Sequence, residues 1–267
     1  MDGIEDLLLR LAAAGEAPIY AAMLVFARIG GAATLIPGFG NHMIPTRVRL
    51  VAALALTAIV WPAAWPAVNA APGLQGADEM TFLRLLGAET TIGIIIGLGA
   101  RMIIMALQLA GSIAAQSTSV AQIFGAGVTP DPMPAIGNVF VIAALALAFS
   151  QGLHVKIAVS LVRSYEVAPA GIWPDPGMLA EWGIDRAASA FELAFSLAAP
   201  FVAAAFAYNV ALGAINRAMP QLMVAFVGAP AITAGALLLL VVSGPPMLKH
   251  WSGKLDIALS DPLGPAP

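Results

Sequence analysis

Phe82-Leu83-Arg84-Leu85-Leu86-Gly87-Ala88-Glu89-Thr90-Thr91-Ile92-Gly93-Ile94-Ile95-Ile96-Gly97-Leu98-Gly99-Ala100-Arg101-Met102-Ile103-Ile104-Met105-Ala106-Leu107-Gln108-Leu109-Ala110-Gly111-Ser112 is one long apolar segment with Glu89 and Arg101 set inside it. As a helix it would run about 46 Å at ~1.5 Å per residue. A bilayer hydrocarbon core is about 30 Å thick. A plain lipid-facing span does not look like this, so the segment is expected to tilt steeply or to extend beyond the membrane within a protein assembly. Glu89, Gly93, Gly97 and Arg101 fall four residues apart, and Gln108, Ser112 and Gln116 continue on the same broad side. Each step of four advances about 40° past a full turn, so this stripe winds partly around the helix. Glycines at that spacing let a second helix approach closely. A charge held against lipid costs at least about 2.5 kcal/mol. The stripe therefore reads as a subunit interface or channel wall, with packing inside the same chain as an equal alternative. Glu89 and Arg101 lie twelve residues apart on one helix, too far to pair with each other, and each needs a partner elsewhere.

The rest of the chain has the same character. Of its 267 residues 60% are hydrophobic and 10% are charged, where soluble domains carry about 25% charged residues. Residues 50–77, 102–130, 132–155, 193–216 and 218–248 contain no Asp, Glu, Lys or Arg. A spanning helix needs about 20 largely apolar residues, so composition alone indicates a membrane protein. A net charge of −3 offers no basic face for nucleic acid, and the absence of cysteine rules out disulfides and thiolate chemistry. The acidic start Met1-Asp2-Gly3-Ile4-Glu5-Asp6 argues against a cleaved signal peptide.

Six apolar segments are expected, near 18–36, 48–68, 82–112, 135–162, 187–212 and 222–247. All are predicted helical, because open strands cannot satisfy their backbone in lipid and the runs are too long for barrel strands. The predicted fold is an all-α membrane protein, a single domain over 1–267 built of helical hairpins, some interrupted by Pro or Gly. Connectors are expected at Pro37–Gly40, Asn69–Glu79 and Gly125–Pro134, with the longest polar linker at Ser164–Asp185. Six crossings would gather Arg10, Arg84, Lys156, Arg163, Arg186, Lys249 and Lys254 on one side, against Arg47, Arg49 and Arg217 on the other. The positive-inside rule then puts both termini in the cytoplasm.

Arg28, inside Val25-Phe26-Ala27-Arg28-Ile29-Gly30-Gly31, is deep enough to call for a protein interface, whereas Glu192 near a segment start can snorkel. His42, His154 and His250 are far apart and are read as unrelated interfacial residues rather than a metal site. No metalloprotease, nucleophile-elbow or phosphate-loop motif is present. Neither an enzyme nor a cofactor is expected.

Asn209-Val210-Ala211-Leu212-Gly213-Ala214-Ile215-Asn216-Arg217-Ala218-Met219-Pro220-Gln221-Leu222 resembles the C-terminal signature of the FliR family, N-x-A-L-G-x-x-N-R-x-x-P-Q-L, and Gly228-Ala229-Pro230 supplies the G-x-P that follows it. Arg28-Ile29-Gly30, then Pro37, then Ile44-Pro45-Thr46-Arg47-Val48-Arg49-Leu50, is similar to the N-terminal R-h-G…P…I-P-x-R-V-R-L stretch. Gly87-Ala88-Glu89, Gly93 through Gly97, and Ala110-Gly111-Ser112-Ile113 followed by Gln116 fit the central G-x-E…G…A-G-x-x-h-x-x-Q. The likeness covers nearly the whole chain. Thr118, where the family tends to have Gly, is one departure.

The resemblance implies a fold like a fusion of FliP and FliQ. It implies a core subunit of the flagellar type III protein-export gate, in the bacterial inner membrane within the flagellar basal body. The partners implied are FliP-like, FliQ-like and FlhB-like subunits and unfolded flagellar substrates. The family's plug loop maps to residues 111–130, with Gln116 and Phe124 as lining candidates. Arg28, Glu89, Gly93, Gly97, Arg101 and Gln108 are candidate interface or channel-wall residues, and Asn209, Gly213, Asn216, Arg217, Pro220 and Gln221 carry the signature. The equivalent subunit of a virulence injectisome is the nearest alternative. A small secondary transporter is the alternative from another class, and it would show two related halves with broken helices.

Overall fold

The computed structural model describes residues 2–38, 44–117, 135–219 and 224–266. Within them the chain forms α1 (Asp2–Ala33), α2 (Thr46–Asn69), α3 (Glu79–Ser117), α4 (Ala135–Ser150), α5 (Leu153–Val167), α6 (Pro176–Ala218) and α7 (Val224–Ser260), with no strand among the described residues. It is an all-α membrane protein. Thr46–Asn69, Glu79–Ser117, Pro176–Ile215 and Ala231–Ser260 are long and apolar enough to cross a bilayer. Pro18–Ala33 is a shorter apolar helix, and α4 with α5 makes a fifth candidate span if the bent pair is taken as one.

Several boundaries differ from the sequence expectation. The segment expected over 135–162 breaks, and its two halves diverge by 74°. Gly152 supplies the break with φ 80°, and its carbonyl starts the next helix by accepting from the amide of Lys156 at 3.1 Å. A side chain in that left-handed conformation costs about 1–2 kcal/mol. Gly152→Ala is therefore expected to lower the unfolding temperature of the detergent-solubilised chain, read by circular dichroism.

The expected Ser164–Asp185 linker is helical over 164–167 and 176–185. Pro176 occupies the first turn, where its missing N–H costs nothing. Asp175 Oδ1 accepts from the Met178 amide at 2.9 Å, so α6 starts well before the apolar run. Asp78 caps α3 in the same way, accepting from the Thr81 amide at 3.2 Å. Its hydrogen bonds with Thr81 hold the Asp78 carboxyl below its ordinary pKa. The last helix runs on to Ser260, past the apolar segment expected to end near 247. The long segment is longer still than predicted: the 39 residues of α3 span about 58 Å.

The chain divides into two compact units. The first holds residues 1–101, 152–186 and 256–267. In it α2 packs on α1 and α5. It uses a single face, Ala53, Thr57, Val60, Ala64 and Val68, at steps of three and four that keep one stripe inward. Thr57 is tolerated there because its hydroxyl donates to the Ala53 carbonyl at 2.7 Å. Leu24, Val25 and Ile29 of α1 and Leu153, Ile157 and Leu161 of α5 are buried.

The second unit holds residues 102–151 and 187–255. Phe140 and Phe201 meet edge to face at 6.4 Å. Trp251 is fully buried, and its indole N–H donates to the Ile103 carbonyl at 2.9 Å. Phe206, Val241 and Val242 are largely exposed, an outer surface suited to lipid or protein rather than water.

Candidate functional site

The most unusual chemistry in the described chain lies in the first unit, where two charges are fully buried. Arg28 of α1 and Glu89 of α3 both have 0% exposure. Ionised groups survive such burial only when paired and hydrogen-bonded. Here Arg28 Nε donates to Glu89 Oε2 at 2.7 Å and Nη2 donates to Oε1 at 3.1 Å, the side-on fork that matches guanidinium to carboxylate. Nη1 donates to Ser164 Oγ at 2.9 Å, and Nη2 also donates to the Ala168 carbonyl at 3.0 Å. The Ser164 hydroxyl in turn donates a hydrogen bond to the Leu161 carbonyl at 2.7 Å. The guanidinium lies 3.6 Å from the centroid of the Tyr165 ring, a cation–π contact.

The carboxylate is held from a further side. Glu89 Oε1 accepts from the Gly171 amide at 2.8 Å. Gly171 has φ 74°, a conformation that costs a residue with a Cβ about 1–2 kcal/mol, and a Cβ there would also push on Leu85 Cδ2 at 2.5 Å, so glycine favours this placement of the amide. One ion pair therefore ties α1, α3, α5 and the connector after α5. Both carboxylate oxygens and all three guanidinium nitrogens are engaged by described residues, so the arrangement positions helices.

Glycine makes the pair possible. A Cβ on Gly93 would overlap the Arg28 carbonyl oxygen and lie 3.0 Å from the Ala32 amide nitrogen. One on Gly97 would lie 2.6 Å from the Ala32 carbonyl oxygen, and one on Gly31 2.5 Å from that of Thr90. The backbones of α1 and α3 thus touch along a seam of small residues.

Of the stripe predicted along α3, Glu89, Gly93 and Gly97 meet α1 of the same chain and join Arg28, which is the internal-packing alternative. Arg101 is exposed, with no hydrogen bond or ion pair to a described residue. Gln108 is half-buried, and its carbonyl accepts from the Ser112 hydroxyl at 3.0 Å. Gln116 is exposed in the last turn of α3. Asn209, Gly213 and Arg217 lie exposed along α6, and Asn216 is in the same helix. Phe124, Pro220 and Gln221 lie outside the described residues. Sequence reasoning missed Ser164, Tyr165 and Gly171 as partners of the pair. The available signal was two lone, opposite charges in separate apolar runs.

Two further polar ties lie in the first unit. Lys156 pairs with Asp256 at 2.6 Å, half-exposed. Buried Arg186 donates through Nη2 to the carbonyls of Asp261 at 3.1 Å, Pro262 at 3.4 Å and Gly264 at 3.1 Å. A cation there suits the negative end of α7.

Residues 19–257 match the family described as bacterial export proteins, family 1. The chain is similar to the flagellar biosynthetic protein FliR of Caulobacter vibrioides, 30% identical over 239 residues that cover 88% of this chain and 93% of that protein. It is similar to FliR of Bacillus subtilis, 30% identical over 82% of this chain and 84% of that protein. It is also similar to the Yop proteins translocation protein T of Yersinia pestis, 29% identical over 74% of this chain and 77% of that protein.

Proposed function

Because the chain belongs to the bacterial export proteins, family 1, we propose that it is a core subunit of the flagellar type III protein-export gate in the bacterial inner membrane. The observation that carries this reading is the likeness to FliR proteins along nearly the whole chain. In the proposed role the chain assembles with FliP-like, FliQ-like and FlhB-like subunits around a narrow path for unfolded flagellar substrates. It acts as a passive component, with the driving energy supplied elsewhere. The length of α3 supports this, since a helix of 39 residues exceeds a bilayer core and fits a helical assembly that rises out of it. Residues 111–130, with Gln116 and Phe124, are the proposed plug. The whole stretch up to Pro130 is uncharged and carries glycines, so it can block ions and still yield to a polypeptide.

The equivalent injectisome subunit is a second reading, favoured by the likeness to the Yop translocation protein. Fuller coverage of the Caulobacter vibrioides FliR favours the flagellar one. Deleting the coding sequence from the source bacterium is expected to abolish swimming and the appearance of flagellar filament protein in the medium, with both restored by the intact chain. Retained motility with loss of other secreted proteins would transfer the assignment to an injectisome. Co-purification with FliP-like and FliQ-like subunits tests assembly, and a chain that stays a lone monomer beside them would end the gate reading.

A further inference from the structure

Beside the ion pair, still within the first unit, lies an apolar hollow of about 220 Å³. Ile92 and Ile95 of α3 form one wall, and Ile172 and Trp173 of the connector and Leu179 and Trp182 of α6 form the others. The two indoles are seated by glycines of α3. A Cβ on Gly87 would lie 3.1 Å from the edge of Trp173, and one on Gly99 would lie 3.1 Å from the edge of Trp182. The walls are therefore preformed, and Trp173 and Met178 stand exposed at the opening.

The opening is acidic. Asp175 lines it, bound only to the amide that it caps. On α6, Glu181 and Asp185 are exposed. Asp185 follows Met178 by seven residues and so returns to the same helical face. Neither Glu181 nor Asp185 has a hydrogen bond or ion pair among the described residues. Arg186, buried behind the hollow with its guanidinium 5.6 Å over the Trp182 ring, directs its charge at backbone carbonyls rather than at the opening. Asp175 at the opening, with Asp185 on the Met178 face of α6, disfavours an anionic phospholipid headgroup and complements a cation.

We propose that this hollow receives a cationic amphipathic segment of a partner protein, one apolar side chain entering between Trp173 and Trp182 while flanking Lys or Arg residues meet Asp175 and Asp185. This is independent of the export role. An apolar anchor ringed by salt-sensitive charge pairs gives a contact that is specific in position and weakens as salt rises.

The test uses the full chain in dodecyl maltoside and a dansyl-labelled peptide with one Phe between Lys residues, compared with its counterpart carrying Glu in place of Lys, both read by fluorescence anisotropy. The Lys peptide is expected to bind saturably and the Glu peptide about tenfold more weakly or not at all. Asp175→Asn with Asp185→Asn keeps the helix cap, since Asn also accepts from the Met178 amide, and is expected to weaken the Lys peptide about fivefold. Met178→Lys puts a cation on an exposed position at the opening and is expected to weaken it about tenfold or more, with an unchanged unfolding temperature. Equal binding of both peptides would overturn the proposal, as would indifference to both variants. Displacement by phosphatidylcholine that does not depend on peptide charge would assign the hollow to a lipid chain and overturn it equally.

Discussion

Arg28→Ala is expected to cost the chain about 3–5 kcal/mol of stability, the range for removing one partner of a buried ion pair. The loss exceeds that of the fork itself, because what remains is a Glu89 carboxylate with no exposure and a single hydrogen bond from Gly171. Glu89→Ala should cost as much, leaving the guanidinium with Ser164, the Ala168 carbonyl and the Tyr165 ring but no counter-charge. Arg28→Lys should rescue little, since one ammonium cannot supply the fork and the two further bonds made from a rigid plane. The informative variant is Arg28→Met with Glu89→Leu. Replacing both charges by apolar groups of similar size removes the stranded ion and should recover most of the loss. Recovery stays incomplete because the half-buried Gly171 amide and Ala168 carbonyl lose their partners, each costing part of the ~1–3 kcal/mol of a fully buried unpaired group. Chemical unfolding in detergent micelles, followed by circular dichroism, measures all four. A wild-type midpoint for Arg28→Ala would show that the pair holds nothing together.

That pair also marks how far the sequence could be read. Arg28 and Glu89 are each visible as a lone charge in an apolar run, and the physics of lipid demands a partner for both. Their pairing was not visible, because 61 residues separate them and nothing local ranks one candidate cation above another. Gly93 and Gly97 were legible as a surface for close helix approach, but not which helix uses it. The bend at Gly152 hid inside a stretch read as one segment, although the uncharged run 135–150 gives way there to a helix carrying Lys156, Arg163 and Glu166. The early start of α6 was the opposite case: Asp175-Pro176 is a helix-start signal, masked by the breakers Pro174 and Gly177 beside it. Gly171 gave no signal at all. Its role rests on a backbone angle and on one amide aimed at a residue of another helix. Membrane character, helical class and family survived because they depend on composition and order of motifs, which need no tertiary partner.

Gly93→Ala is the second large effect expected, and it tests whether the seam sets the pair. The added Cβ falls on the Arg28 carbonyl oxygen and close to the Ala32 amide, both main-chain atoms with no rotamer to change. The helices must move apart, and overpacking of this kind costs about 1–3 kcal/mol. Opposing it is the better helix propensity of Ala over Gly, at most about 1 kcal/mol. The net sign is destabilising because the obstruction is backbone. Gly30→Ala isolates the propensity term: nothing lies within 4 Å of its Cβ, so it should be neutral or stabilising by up to about 1 kcal/mol. The coupling between sites carries the argument further. Separating α1 from α3 stretches the 2.7 Å bond from Arg28 to Glu89, so part of the cost of Gly93→Ala is damage to the ion pair. In an Arg28→Met, Glu89→Leu background that part is already gone, and Gly93→Ala should then cost less than it does in the natural chain. Strict additivity would mean that the seam and the ion pair hold the two helices independently, with the glycines setting no distance that the charges depend on.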